Sequence, residues 1–206
     1  MSKRVRLLLM LLPLWLGGCV VFERPPAPLA CDARLQGRWL PIPNTPEEGA
    51  KLTAQDYAVV DAQCRATVSM SQLGNSPASR TEIEVRGFAL GGEHYFALDE
   101  HSLTRLFARG SAPDPAQEKK LPPTAVTLVR YRIEDDVVTL ATIDAATVKD
   151  MTGSGGLQAT ALDEFNYLIP GDEQALRDIL LSNPRLFENS GSPPMRMRRA
   201  AREAAP

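Results

Sequence analysis

The stretch TAVTLVRYRIEDDVVTLATI, residues 124–143, decides the predicted fold. Ten mostly apolar residues precede the acidic turn 134–136, and seven follow it. Val129, Tyr131 and Ile133 share one face because successive strand residues point to opposite sides of a sheet. We interpret the stretch as an antiparallel β-hairpin.

Similar patterns flank this hairpin on both sides. Upstream, residues 81–86 alternate with period two, and Gly91-Gly92 separates two short apolar runs, as a tight hairpin turn requires. Downstream the period becomes helical: Asp144 is placed to cap a short helix, and residues 172–181 predict a second helix with one apolar stripe. The sequence therefore predicts a mainly β fold with minor α.

The N-terminus has the pattern of a secretory leader. Lys3, Arg4 and Arg6 precede the apolar run 7–16. Ten helical residues cover only ~15 Å of a hydrocarbon core of about 30 Å, so this run is too short to span a membrane. A basic region, a short apolar region and small residues before a cleavage site predict a signal peptide over residues 1–18.

The tetrapeptide Leu16-Gly17-Gly18-Cys19 resembles the lipobox of bacterial lipoproteins. The resemblance implies cleavage before Cys19, a diacylglycerol on its thiol and a membrane partner held through that lipid. Val20 in the next position implies the outer membrane, on its periplasmic face. The alternative is an ordinary signal peptide cut elsewhere, with Cys19 incidental.

Composition shifts divide the remaining chain into three parts. Residues 19–30 contain three prolines and predict an extended, lipidated tether that holds the domain ~30 Å from the lipid. Residues 31–188 are predicted to form a single β-rich domain. Residues 189–206 predict a disordered basic tail, with binding to anionic lipid, lipopolysaccharide or peptidoglycan as the alternative; its arginines are Arg196, Arg198, Arg199 and Arg202.

Cysteine usage agrees with export. Once Cys19 is lipidated, Cys31 and Cys64 remain as an even pair. We favour a disulfide that ties the first strand of the domain to the second, and leave free thiols or metal ligands as alternatives. No metal site or cofactor is predicted.

Two further resemblances bear on the fold. Gly37 and Trp39 form a Gly-x-Trp similar to that on the first barrel strand of lipocalins; the alternative is a buried Trp on an edge strand. The element order over residues 131–187 resembles small Gram-negative envelope lipoproteins without an assigned activity. That resemblance implies a small antiparallel barrel or half-barrel with a short helix and a C-terminal helix.

Charge and motifs restrict the function. Without the leader's three basic residues, 20 basic side chains face 25 acidic ones, a net charge of −5, which disfavours nucleic acid as a partner. No catalytic motif is present; Ser154 is interpreted as part of a hinge. We favour a non-catalytic envelope lipoprotein that binds another envelope protein or an apolar ligand. The alternative is an envelope hydrolase using His94 or His101 with a nearby carboxylate.

Overall fold

The computed structural model describes residues 19–69, 80–107, 121–188 and 193–201. Within these ranges the chain forms four helices: α1 Pro46–Lys51, α2 Glu100–Phe107, α3 Ala145–Gly153 and α4 Glu173–Ser182. The same ranges contain the strands β1 Val20–Phe22, β2 Gly37–Ile42, β3 Tyr57–Val60, β4 Arg65–Ser69, β5 Arg80–Glu84, β6 Gly87–Leu90, β7 Glu93–Asp99, β8 Val126–Glu134, β9 Val137–Thr142, β10 Thr160–Ala161, β11 Tyr167–Ile169 and β12 Met195–Arg199. The fold is mainly β, as predicted.

The strands form one antiparallel-rich sheet that bends round on itself. Only Val85 and Arg86 separate β5 from β6. The Val85 amide donates to the Cys64 carbonyl (2.8 Å), and the Ala97 amide of β7 donates to the Arg86 carbonyl (3.0 Å), so pairing passes from β4 to β7 across this corner. The antiparallel order β2, β3, β4, β5–β6, β7, β8, β9, β12 then returns to β2. This set of strands is termed the barrel.

Apolar side chains fill the barrel interior. Each buried side chain of this size contributes about 1.5–3 kcal/mol relative to an exposed one. The cluster takes side chains from every side of the barrel and includes Trp39, Val60, Ala66, Ile83, Phe96, Leu98, Val129, Tyr131, Val138 and Met197.

A second core lies outside the barrel, against the outer face of β6, β7 and β8. It is covered by α3, α4 and a small subsheet in which β1 pairs in parallel with β11. Its most buried members are Phe22, Leu128, Val148, Ile169, Leu176 and Leu186, each at most 1% exposed.

The two predicted hairpins are present, and each turns on two residues with positive φ. Gly91 and Gly92 (φ 62° and 84°) join β6 to β7. Asp135 and Asp136 (φ 46° and 61°) join β8 to β9. Positive φ at both central residues matches the twist of the flanking strands, which explains why the acidic triplet serves as a turn.

Both predicted helices are present, the first with its predicted cap Asp144, whereas Asp172, predicted as the first residue of the second helix, caps it. The Asp144 side chain accepts from the Ala146 amide, and the Asp172 side chain accepts from the Ala175 amide. The segment after β7 is helix α2, whose third residue donates its backbone N–H to Asp99 (2.6 Å). The Ser154 hydroxyl donates to the Met151 carbonyl, so the predicted hinge serine closes the C-terminal end of α3.

The structure corrects the predicted tether over residues 19–30. Val20 and Phe22 are 3% and 0% exposed, and β1 pairs with both β8 and β11. The following prolines run back along the domain: Pro26 is buried, and its carbonyl accepts from Arg177 (3.3 Å). The prediction gave weight to the prolines, whereas three consecutive apolar residues, two of them β-branched, had a stronger preference for a buried strand.

The predicted disordered tail is corrected as well. Met195–Arg199 forms β12, which pairs with β9 on one side and β2 on the other. Met197 points into the barrel and is 4% exposed. A strand between two neighbours pairs its backbone groups on both edges, which offsets the low hydrophobicity of the segment. Arg202 lies outside the described residues.

Candidate functional site

Cys19, the predicted lipidation site, lies at the start of β1 beside β11. Its backbone N–H donates to the Asn166 side-chain oxygen (2.8 Å), and its carbonyl accepts from the Tyr167 amide (3.0 Å). The side chain is partly buried. Burial, and then the negative charge of Glu100, raise the pKa of the Cys19 thiol, so in the folded chain the thiol is a weak nucleophile.

The Asn166 acceptor is held in place by Asp163. One Asp163 oxygen accepts from the backbone amides of Phe165 (2.8 Å) and Asn166 (2.9 Å), and the other accepts from the Asn166 side-chain amide (2.7 Å). This leaves the Asn166 oxygen directed at the Cys19 backbone. The loop also presents Phe165, which is 37% exposed. The predicted leader, residues 1–18, lies outside the described residues.

The predicted disulfide between Cys31 and Cys64 is present, with the Cα atoms 5.6 Å apart. Its position differs from the prediction. Cys31 precedes β2, and Cys64 lies in the β3–β4 turn with φ 59°. The bond therefore fixes the segment that leads into the barrel to a turn at the same end, rather than joining two strands.

A polar network closes this end of the barrel. The Tyr131 hydroxyl donates to Asp32 (2.6 Å), which also pairs with Arg34 (2.6 Å). Partial burial opposes ionisation of Asp32, but the hydrogen bonds from Arg34 and Tyr131 outweigh it and lower the pKa of Asp32 to about 2. Burial and the neighbouring Asp32 raise the pKa of Tyr131. An ionised Asp32 and a neutral Tyr131 form a structural clamp rather than an acid–base pair.

Arg199 completes the closed end. Its guanidinium lies 4.2 Å from the centre of the Trp39 ring, bonds the carbonyls of Gln36 and Arg34, and pairs with Asp136 (3.1 Å). Trp39 is 2% exposed and lies in β2, between β12 and β3, so it is not on an edge strand. Arg199 thus has a structural role, while Arg196 and Arg198 are exposed on the outer face of β12.

The structure does not bring the two histidines together. His94 lies near the closed end of β7, 5.6 Å from the Tyr131 ring, whereas His101 is exposed in α2 beyond the other end of the strand. Seven strand residues separate the ends by roughly 20 Å. Asp99, the carboxylate two residues before His101, accepts a hydrogen bond from the Ser102 amide in the first turn of α2.

Sequence reasoning missed Asn166 and Asp32 as partners of Cys19 and Tyr131. Their partners lie 147 and 99 residues away in the chain. A short polar side chain in a loop has the same local pattern whether or not it meets such a partner, so no sequence signal distinguishes these two residues.

No helix within residues 19–69, 80–107, 121–188 and 193–201 is long and apolar enough to cross a membrane. Over the same part of the chain, no group of three or more His, Cys, Asp or Glu side chains is arranged to hold a metal ion. Comparison with protein-family models, with curated proteins and with solved structures finds no match.

Proposed function

We propose that the protein is a lipid-anchored envelope lipoprotein and that its barrel is a non-catalytic interaction module on the periplasmic face of the outer membrane. The observation that carries the proposal is the setting of Cys19. The lipobox-like sequence makes this residue the attachment point, and in the structure it leads straight into the buried strand β1. The acyl chains would therefore leave from the surface of the domain itself.

The hydrogen bond of the Cys19 backbone is compatible with acylation. An N-acylated cysteine keeps one amide N–H, which is the number that Asn166 accepts. Two or more acyl chains anchor a protein stably, whereas one chain holds it marginally. Because burial raises the pKa of the folded thiol, acylation would occur on the unfolded precursor, before β1 pairs.

Two features of the fold support the rest of the proposal. The Cys31–Cys64 disulfide fits an oxidising compartment such as the periplasm. Side chains fill the barrel interior, which favours a partner bound on the outer surface over an apolar ligand enclosed within. The hydrolase alternative loses support because His94 and His101 lie at opposite ends of β7.

Mass spectrometry of the protein from its native host tests the anchor. We expect an N-terminal peptide that begins at Cys19 and carries the mass of a diacylglycerol and an amide-linked acyl chain. Cys19→Ala is expected to abolish processing and acylation. A Cys31→Ser/Cys64→Ser double variant is the matched control, because it removes two cysteines and keeps the lipid.

Two results would refute the anchor. One is an intact leader on the mature protein, and the other is an unmodified N-terminus beyond position 19. The partner is tested separately by crosslinking in intact envelopes, comparing wild type with Cys19→Ala. A partner captured equally well by both forms would show that the interaction does not need the membrane.

A further inference from the structure

A cleft of about 260 Å³ opens on the outer face of β8 and β9. Residues 184–188, which follow α4, form its other wall. Arg130, Ala141 and Phe187 line the cleft, with Thr139 and Glu188 near its rim. It is formed by the side chains of two strands that pair through Arg130 and Ala141.

Arg130 is the unusual member of this cleft. The residue is only 9% exposed, yet among the described residues no carboxylate lies within ion-pair distance of it. Its guanidinium donates one hydrogen bond, to the Phe187 carbonyl (3.3 Å), and lies 5.3 Å from the centre of the Phe187 ring. A guanidinium has five N–H donors, so most of its capacity to donate is unused by the described protein groups.

Two other arginines of the domain have the carboxylate partner that Arg130 lacks among the described residues. Arg132, two residues further along β8, pairs with Glu93, and Arg177 pairs with Glu173. Both are more exposed than Arg130, so water also solvates their charge and an ion-pair partner matters less. Burying a charge without an ion-pair partner is costly, and such a charge in a cleft is a candidate for ligand binding.

We propose that this cleft binds the oxyanion group of a small ligand, either a carboxylate or a phosphate, through Arg130. A planar guanidinium bonds both groups through two parallel hydrogen bonds. Half-buried Ala141 provides an apolar surface for the rest of the ligand, and the buried Phe187 ring lies behind the guanidinium. The positive rim is extended by exposed Arg196, which is opposite Thr139 in the β9–β12 register.

The charges around the cleft restrict the ligand further. Arg132 is neutralised by Glu93, and Glu188 places a negative charge at the rim. A ligand with further negative groups beside the oxyanion would meet Glu188, so a ligand with one oxyanion group fits best. The proposal does not rest on the lipid anchor, because Arg130 and Glu188 are not among the hydrogen-bond partners of Cys19 or Asn166 in the described residues.

Thermal unfolding of the detergent-purified full-length protein tests the proposal. The probes are inorganic phosphate and propionate, each compared with chloride at equal ionic strength and pH. At about ten times the dissociation constant, we expect at least one probe to raise Tm by about 3–5 °C. A shift with phosphate alone would identify a phosphate-bearing ligand, and a shift with propionate alone would identify a carboxylate.

Two variants locate the effect. Arg130→Met is expected to abolish the anion-dependent rise while having a Tm no lower than wild type in chloride, since it removes an unpaired buried charge. Ala141→Leu keeps the arginine and fills the cleft, so it too is expected to abolish the rise. Arg38→Met is the control, because Arg38 lies over Tyr57 on another part of the outer face and should leave the rise unchanged.

Three results would overturn the proposal. They are no Tm rise with either anion, an equal rise in Arg130→Met, or a rise that survives filling of the cleft in Ala141→Leu. If Arg130→Met does not fold, Ala141→Leu alone decides the outcome.

Discussion

The strands β1 and β12 come from opposite ends of the chain, and both replace segments predicted to lie outside the domain. Val20–Phe22 is wholly apolar and buried on the outside of the barrel wall. Met195–Arg199 has three arginines and only one buried apolar side chain, yet it forms part of the barrel itself. Both strands pair with a neighbour on each edge, so the difference lies in the side chains: β1 adds the burial of three apolar residues, whereas β12 depends mainly on its backbone pairing.

The largest effect is expected from the apolar strand. Phe22→Ala removes a fully buried ring from the second core and should lower the free energy of unfolding by about 3–5 kcal/mol, measured by urea denaturation. Phe165→Ala, at an exposed aromatic near β1, is the control and should change stability by less than about 0.5 kcal/mol. Equal losses in the two variants would mean that β1 is not held by burial.

The disulfide also holds the N-terminal part of the domain, because Cys31 lies in the chain between β1 and β2 and is bonded to Cys64 of the barrel. Cys31→Ser/Cys64→Ser opens a loop of 33 residues and should lower the free energy of unfolding by about 3–4 kcal/mol. The same urea experiment on the reduced wild type should give a similar loss. If both losses are close to zero, the contacts of β1 and the proline segment suffice to hold the N-terminal part of the domain.

A variant of Arg199 tests whether the arginines of β12 differ in their contribution to stability. Arg199→Met removes the contact with Trp39 and the hydrogen bonds to Gln36 and Arg34, and should cost about 2 kcal/mol in urea denaturation. The matched variant is Arg198→Met, which changes the neighbouring exposed arginine and should stay within about 0.5 kcal/mol of wild type. Equal stability losses in the two variants would show that the Arg199 side chain adds nothing to the stability that β12 gains from backbone pairing.

The smallest effect is the pH dependence of the closed end, where β12 meets β2. Folding lowers the pKa of Asp32 to about 2, below its value of about 3.9 in an unfolded chain. The stabilisation by ionised Asp32 is therefore complete above about pH 4 and is lost as the pH falls towards 2. Solvent screening limits it to about 1 kcal/mol.

Thermal unfolding of wild type and Asp32→Asn between pH 2 and 5 measures this contribution. The difference in stability between the two proteins should shrink as the pH falls. A difference that is constant over the range would show that Asp32 stabilises the closed end without its charge.

Much of the fold was predictable because its signals are local. Gly91-Gly92 and the Asp135-Asp136 turn lie between two alternating runs, and both hairpins follow from that arrangement. Asp144 and Asp172 cap helices that begin at the next residue. The disulfide was also predictable, since two cysteines remained for an oxidising compartment, but its place in the fold was not.

The proposed attachment point and the proposed binding cleft also differ in how far the sequence predicts them. Cys19 has a motif around it, and the sequence singles it out. Arg130 is one of three charged residues in an apolar strand, and nothing in that strand shows that Arg132 has a carboxylate partner while Arg130 has none within the part of the chain that the structure describes.

The sequence by itself determined the hairpins, the capped helices and the cysteine pair, because each depends on residues whose types and spacing act over a few positions or on the mere number of thiols. Only the tertiary structure decided that β12 lies between β9 and β2, that β1 pairs with β11, and that Arg130 is buried with no carboxylate at ion-pair distance among the described residues. These outcomes depend on which strand edges and charges meet across more than a hundred residues or across separate layers, and chain order does not record such distances.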